Sequence, residues 1–302
     1  MLNIIGYRKA FLTVSTLLVV ASLAAIIAFG FLEGIDFKGG ALWKLSVPGE
    51  NVTAAALELF FKEEFKLTDV RVTFDPQNKA YLAKLPTAVE GDRQAYFLKL
   101  QEQFKGAEEL SFQSIGPSVG AELRNKSFMA LALVLIGISL YIAFAFRKVF
   151  RPVSSWTYGL ITLVSLFHDV AIPAGLLAYL GYSQGVEIDG NFIVALLVVM
   201  GFSVHDTIVV FDRIRENLVL DRGKKNFADV VNDSVNQTLA RSINTSLTLI
   251  LVLLALYFTG PTNLHYFVLT LLVGVTAGIY SSIFVASPLL VVWQNIRARG
   301  AK

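Results

Sequence analysis

The chain has 302 residues, 55% of them hydrophobic and 16% charged, with a net charge of +3 and no cysteine. That much apolar surface exceeds what a soluble core of this size buries, so a bilayer is the natural solvent. The basic excess forms no dense cluster of the kind nucleic acid requires, and without cysteine there are no disulfides, thiolate metal sites or thiol nucleophiles.

A membrane-crossing helix needs about 20 mostly apolar residues. In chain order there are six such stretches, roughly 9 to 31, 127 to 146, 154 to 180, 191 to 212, 242 to 259 and 265 to 293. The first follows Arg8 and Lys9, and its apolar run is longer than the core of a signal peptide. Residues 1–31 therefore read as a short N-terminus and a retained first span.

Residues 32–126 change to the composition of a mixed-charge soluble domain. Segment 40–47 alternates as a strand, 52–66 repeats as an amphipathic helix, and 69–75 and 79–85 read as a hairpin around Pro76, Gln77 and Asn78. A helix over 89–105, with apolar Ala95, Leu98 and Phe104, and a strand over 107–115 complete the domain. The β-α-β-β-α-β order predicts an α+β ferredoxin-like fold, which hosts many functions and names none. Without a nucleophile elbow, zinc motif or phosphate loop, it reads as a partner-contacting module rather than an enzyme.

Residues 127–293 hold the other five spans. In the third span, His168 and Asp169 lie near the middle, with Thr162 and Ser165 on a similar face. The fourth carries Ser203, His205 and Asp206, closed by Asp212 and Arg213. A polar segment, 213–241, follows, in which 226–239 has Phe227, Val230, Val231, Val235 and Leu239 at helical spacing; it predicts a short amphipathic helix on the membrane surface. Arg241 opens the fifth span, and Thr245 and Thr248 extend its stripe. Gly274 and Gly278 in the sixth form a GxxxG pair followed by Ser281 and Ser282, read as a packing stripe. Residues 294–302 are a short basic tail.

Orientation follows from the positive-inside rule. Arg8, Lys9, Arg147, Lys148, Arg151, Arg213, Arg215, Arg222, Lys224, Lys225, Arg241, Arg297, Arg299 and Lys302 all fall on one side, which places both termini in the cytoplasm. Loops 181–190 and 260–264 contain no lysine or arginine. Trp156 and Tyr158, Tyr179 and Tyr182, and Trp293 mark helix ends at the membrane interfaces.

An ionisable residue within hydrocarbon costs roughly 2.5 to 3.5 kcal/mol, so each requires a partner, a cavity or a function. Asp206 on the fourth span and Arg241 on the fifth stand out as a carboxylate face and a guanidinium face in the same half of the bundle. A carboxyl whose distance from a guanidinium changes with conformation can load and release a proton; the bland alternative is a fixed ion pair holding two helices together. His168 and His205 read as hydrogen-bonded neighbours of the aspartates rather than obligatory carriers.

Four motifs carry a family resemblance: GIDFKGG (34–40), SIGPSVGAEL (114–123), SVHDTIVVFDRIREN (203–217) and QTLARSINTSLT (237–248). Together, in this order, they resemble the SecD/SecF family of protein-export membrane proteins, relatives of the resistance-nodulation-division exporters. The resemblance implies an inner-membrane protein that forms half of a complex with SecD and uses the proton gradient to help preproteins cross after the SecYEG channel and SecA. It assigns proton transport to Asp206 and Arg241, matches Asp169 to a third family position, and leaves Ser203 and Thr245 as supporting polar groups. No cofactor or metal is implied, and membrane lipid surrounds the bundle.

A lipid or small-molecule exporter of the same superfamily is the nearest alternative, against which the export-type motifs and the single small external domain argue. The His-Asp pairs at 168–169 and 205–206 suggest an intramembrane metal-dependent hydrolase, but no third ligand cluster or HExxH accompanies them.

Overall fold

The computed structural model describes residues 2–49, 52–76, 78–86, 91–146 and 153–300. Gln77 of the predicted turn, the first residues of the predicted 89–105 helix, Arg147, Lys148, Arg151 and Lys302 lie outside the described residues.

Helix α1 (Arg8–Phe29) leads through a single-turn helix α2 (Ile35–Lys38) into strand β1 (Gly40–Ser46). Helix α3 (Ala54–Phe65), strands β2 (Arg71–Asp75) and β3 (Ala80–Leu85), helix α4 (Arg93–Gln103) and strand β4 (Glu108–Ile115) follow. The strands form one antiparallel sheet in the order β2-β3-β1-β4. Alternation along β1 turns Ala41, Trp43 and Leu45 to one face, where with Leu57, Phe61 and Leu100 they are fully buried. Thr53 starts α3 by accepting the Ala56 N–H at 3.1 Å.

On α4 the buried face differs from the expected one. Ala95 and Leu98 are exposed, while Tyr96, Phe97, Leu100 and Phe104 pack inward. The aromatic side chains win because they hold more apolar area to remove from water.

Helix α5 (Pro117–Ala145) begins ten residues ahead of the predicted span, with Pro117 in its first turn, where the missing N–H costs nothing. Residues 117–126 thus belong to a helix that runs on into the bundle. Helices α6 (Ser155–Gln184), α7 (Gly190–Asp221), α8 (Phe227–Thr259) and α9 (His265–Ser281) follow, and α9 continues through a wide π-type turn (Ser282–Ala286) into α10 (Ser287–Gly300). Among the described residues, six helices are long and apolar enough to cross a membrane, counting α9 to α10 as one.

The expected short surface helix at 226–239 is corrected here: it is the first part of α8, which runs unbroken for 33 residues. No glycine or proline interrupts it, and Val231 and Val235 are buried in the same core as α7 residues Val210, Phe211 and Ile214.

Over their most apolar stretches, α6, α7 and the last helix are 61%, 56% and 61% buried, against 6% for α1, 6% for α5 and 17% for α8. The first three therefore form the centre of the bundle and the others its rim. The sheet sits over one end. Lys84 pairs with Glu187 at 2.6 Å, Arg71 donates to the Gly185 carbonyl at 3.1 Å, and Thr262 donates to Asp75 at 3.0 Å. At the far end, Asn232 and Asn236 of α8 hold the backbone of Leu2 and Ile5.

A candidate polar site inside the bundle

Asp169 lies mid-way along α6 and is fully buried. Three side chains from three helices converge on it. His168 Nδ1 is 2.8 Å from Oδ1, Ser281 of α9 donates to Oδ2 at 2.7 Å, and Ser203 of α7 donates to the same oxygen. Ser165 donates to Ser281 at 2.9 Å, extending the chain of hydroxyls one turn further. Pro173, four residues on, lacks the N–H that would bond the Asp169 carbonyl, so the helix ladder is loosened at this residue.

Close helix approach makes this possible. A Cβ on Gly278 would stand 3.2 Å from Ser203 Cβ and 3.7 Å from Asp169 Oδ2, so the glycine lets α9 approach here without pushing Ser203 aside. The π-type turn that begins at Ser282 turns consecutive serines inward: Ser281 reaches Asp169, while Ser282 meets Thr207 of α7 at 2.9 Å.

Asp206, one turn beyond Ser203 on α7, is also buried, but its Oδ2 makes no hydrogen bond among the described residues. The hydroxyls of Ser242 on α8 and Ser282 lie beside its carboxyl. Two polar centres therefore stack along the bundle, one saturated with hydrogen bonds and one not.

The structure does not bring Arg241 to Asp206. Among the described residues no ion pair joins them, and Arg241, Thr245 and Thr248 form an exposed stripe on the outer face of α8. Ser242 and Ser246 take the inner face instead, buried and, among the described residues, without hydrogen-bond partners of normal geometry. His205 is exposed on α7, whereas His168 is buried and stacks over Tyr280 at 6.2 Å. At 1.5 Å per residue, Asp206 lies about 24 Å along α7 from Gly190, and Arg241 about 27 Å along α8 from Thr259, a similar depth on two faces.

Sequence reasoning assigned Ser281 and Ser282 to packing and passed over Ser242. For Ser281 and Ser282 the signal was present: hydroxyls following Gly278 in an otherwise apolar helix, where an unpaired polar group is costly.

The described geometry has known counterparts. A family described as "Protein export membrane protein SecD/SecF, C-terminal" matches residues 97–296. The chain belongs to the SecD/SecF family. The protein translocase subunit SecF of Thermobaculum terrenum is 45% identical over 98% of this chain and 95% of its own. The protein translocase subunit SecDF of Thermus thermophilus is 39% identical over 98% of this chain but only 39% of its own length. A crystal structure of that SecDF, described as a translocon-associated membrane protein, superposes with a TM-score of 0.83 at 36% identity, covering 97% of this chain and 39% of the other. A super-membrane-facing form of SecDF gives 0.71, covering 99% and 40%. These likenesses support a role in protein export, in a family of translocase subunits.

Proposed function

We propose that this chain is the SecF half of a SecD–SecF complex that uses the proton gradient to assist preproteins leaving the SecYEG channel after SecA. The observation that carries the reading is the pairing of a buried, incompletely bonded Asp206 with an exposed Arg241 stripe at similar depth. A guanidinium facing lipid is costly, so the Arg241, Thr245 and Thr248 face of α8 is read as the seam for a second six-helix half. The length by which the Thermus thermophilus SecDF exceeds this match is consistent with that half.

In this reading the sheet domain, residues 32–126 with 117–126 as the opening turns of α5, lies outside the cytoplasm, and its β2-β3-β1-β4 order supports the ferredoxin-like assignment. Arg8, Lys9, Arg213, Arg215, Arg222, Lys224, Lys225 and Arg297 occupy the end away from the sheet, which supports a cytoplasmic placement for both termini. Asp206 takes a proton while Arg241 is withdrawn and releases it when the guanidinium approaches. Asp169 holds α6, α7 and α9 together so that the change at Asp206 moves helices rather than one side chain.

The test is preprotein export in cells whose only copy of this subunit carries Asp206→Asn, with the amount of complex measured alongside. Accumulated precursor with normal complex is the expected outcome. Normal export would remove Asp206 from the proton path.

A further inference from the structure

Between α1 and β1 the chain makes a compact knuckle at residues 33–40, and four different contacts fasten it to the bundle. Glu33 and Ile188 form a short parallel bridge, in which Gly34 N–H bonds the Ile188 carbonyl at 2.9 Å and Ile188 N–H bonds the Leu32 carbonyl at 2.8 Å. Asp36 Oδ2 accepts the Gly190 N–H at 2.8 Å, capping the first turn of α7, where a negative charge also meets the positive end of the helix dipole. Phe37 is buried in a cluster with Leu177 of α6 and Phe192 and Ile193 of α7. Gly39, at φ +79°, packs so closely on α5 that a Cβ on Gly120 would stand 2.9 Å from Gly39 N and from the Phe37 carbonyl.

The next residue, Gly40, opens β1, which lies between β3 and β4 inside the sheet. Three residues, Phe37 to Gly39, therefore separate the cap on α7 from an interior strand. A helix turn, a buried aromatic plug, a bridge and a glycine contact on three helices leave little freedom for the sheet to tilt independently. The same α7 carries Ser203 and Asp206.

We propose that residues 33–40 are a rigid joint through which α7 and the sheet domain move as one body, with Asp36 as its positioning residue. The inference rests on the export reading above for its consequence, but the joint itself is measured without it.

The natural chain has no cysteine, so the pair Glu33→Cys and Ile188→Cys can be introduced without background. In membranes containing the full complex, mild oxidation is expected to close a disulfide across the bridge and to leave export within about twofold of the reduced sample. Export that collapses on oxidation and returns on reduction would mean that the joint opens during the cycle, and failure of the pair to cross-link would mean that the bridge does not persist. Either result overturns the proposal.

Amide hydrogen exchange in the purified complex supplies the readout independent of export. Asp36→Ala is expected to speed exchange at Gly190 at least tenfold and to lower export severalfold, with Asp36→Asn, which keeps one acceptor oxygen, recovering part of both. Unchanged exchange in Asp36→Ala overturns the joint. Normal export in Asp206→Asn with fast exchange in Asp36→Ala would instead overturn the export mechanism and leave the joint standing.

Discussion

Ser281 of α9 donates a 2.7 Å hydrogen bond to Asp169 of α6, and through it two helices far apart in sequence share one buried carboxylate. Ser203 of α7 and His168 complete the set. Removing the carboxylate leaves several buried groups without a partner, each costing about 1–3 kcal/mol, though not additively. Asp169→Ala is therefore expected to lower the unfolding temperature of the purified protein in detergent by more than any other single change in the bundle core discussed here. Asp169→Asn, which keeps an acceptor, is expected to fall between it and the parent. Equal melting of all three would show that the network adds no stability.

At Gly278, α9 packs against α7 beside this site. Alanine there must displace Ser203 Cβ, 3.2 Å away, by a few tenths of an ångström, whereas valine adds two further methyl groups with nowhere to go. Overpacking of that kind costs about 1–3 kcal/mol. Gly278→Val is expected to melt lower than Gly278→Ala, and combining it with Asp169→Ala is expected to cost less than the sum, because valine already separates the partners of Asp169. A double-mutant cycle on melting temperature or denaturant midpoint checks this.

In the sheet domain, Glu58 of α3 accepts from Lys62 at 2.6 Å and from the Val72 N–H of β2 at 3.3 Å. The Lys62 hydrogen bond holds its carboxyl below the usual glutamate value, and burial opposes this only in part. A carboxyl lowered in the folded state contributes stability above its unfolded pKa and loses it as pH falls through the folded one. The parent is expected to lose part of its stability on acidification across that window, and Glu58→Gln to start lower at neutral pH and decline less. Melts from neutral to acid pH, compared between the two, measure the difference, which is small because the pair is largely solvated.

The sheet was legible because alternation in GALWKLS and AYLAKL turns every second side chain the same way, and the observed strands fall within a residue or two of expectation. Helix α2 was not, since four residues are too few to display a period. The polar run before Arg241 looked like a surface segment. Yet helix continuity depends on backbone hydrogen bonds that polar side chains do not break, so α8 runs through it. Asp169 and Asp206 announced themselves as rare charges in apolar spans. Which helix faces meet is set by packing among several elements, and periodicity along one helix carries no such information. That is why Arg241 was expected beside Asp206 and lies on another face.

At 1.5 Å per residue, the 33 residues of α8 reach about 50 Å, against a hydrocarbon layer of about 30 Å. Roughly 20 Å of this helix thus stands clear of the lipid as a mast at the end away from the sheet. Asn232 and Asn236 lash that mast to Leu2, six residues ahead of the first turn of α1. The lashing works like a guy line. Two helices of the bundle's rim that share little buried surface are kept in axial register by a strap of six residues, and neither slides along its axis by more than that strap's slack without towing the other.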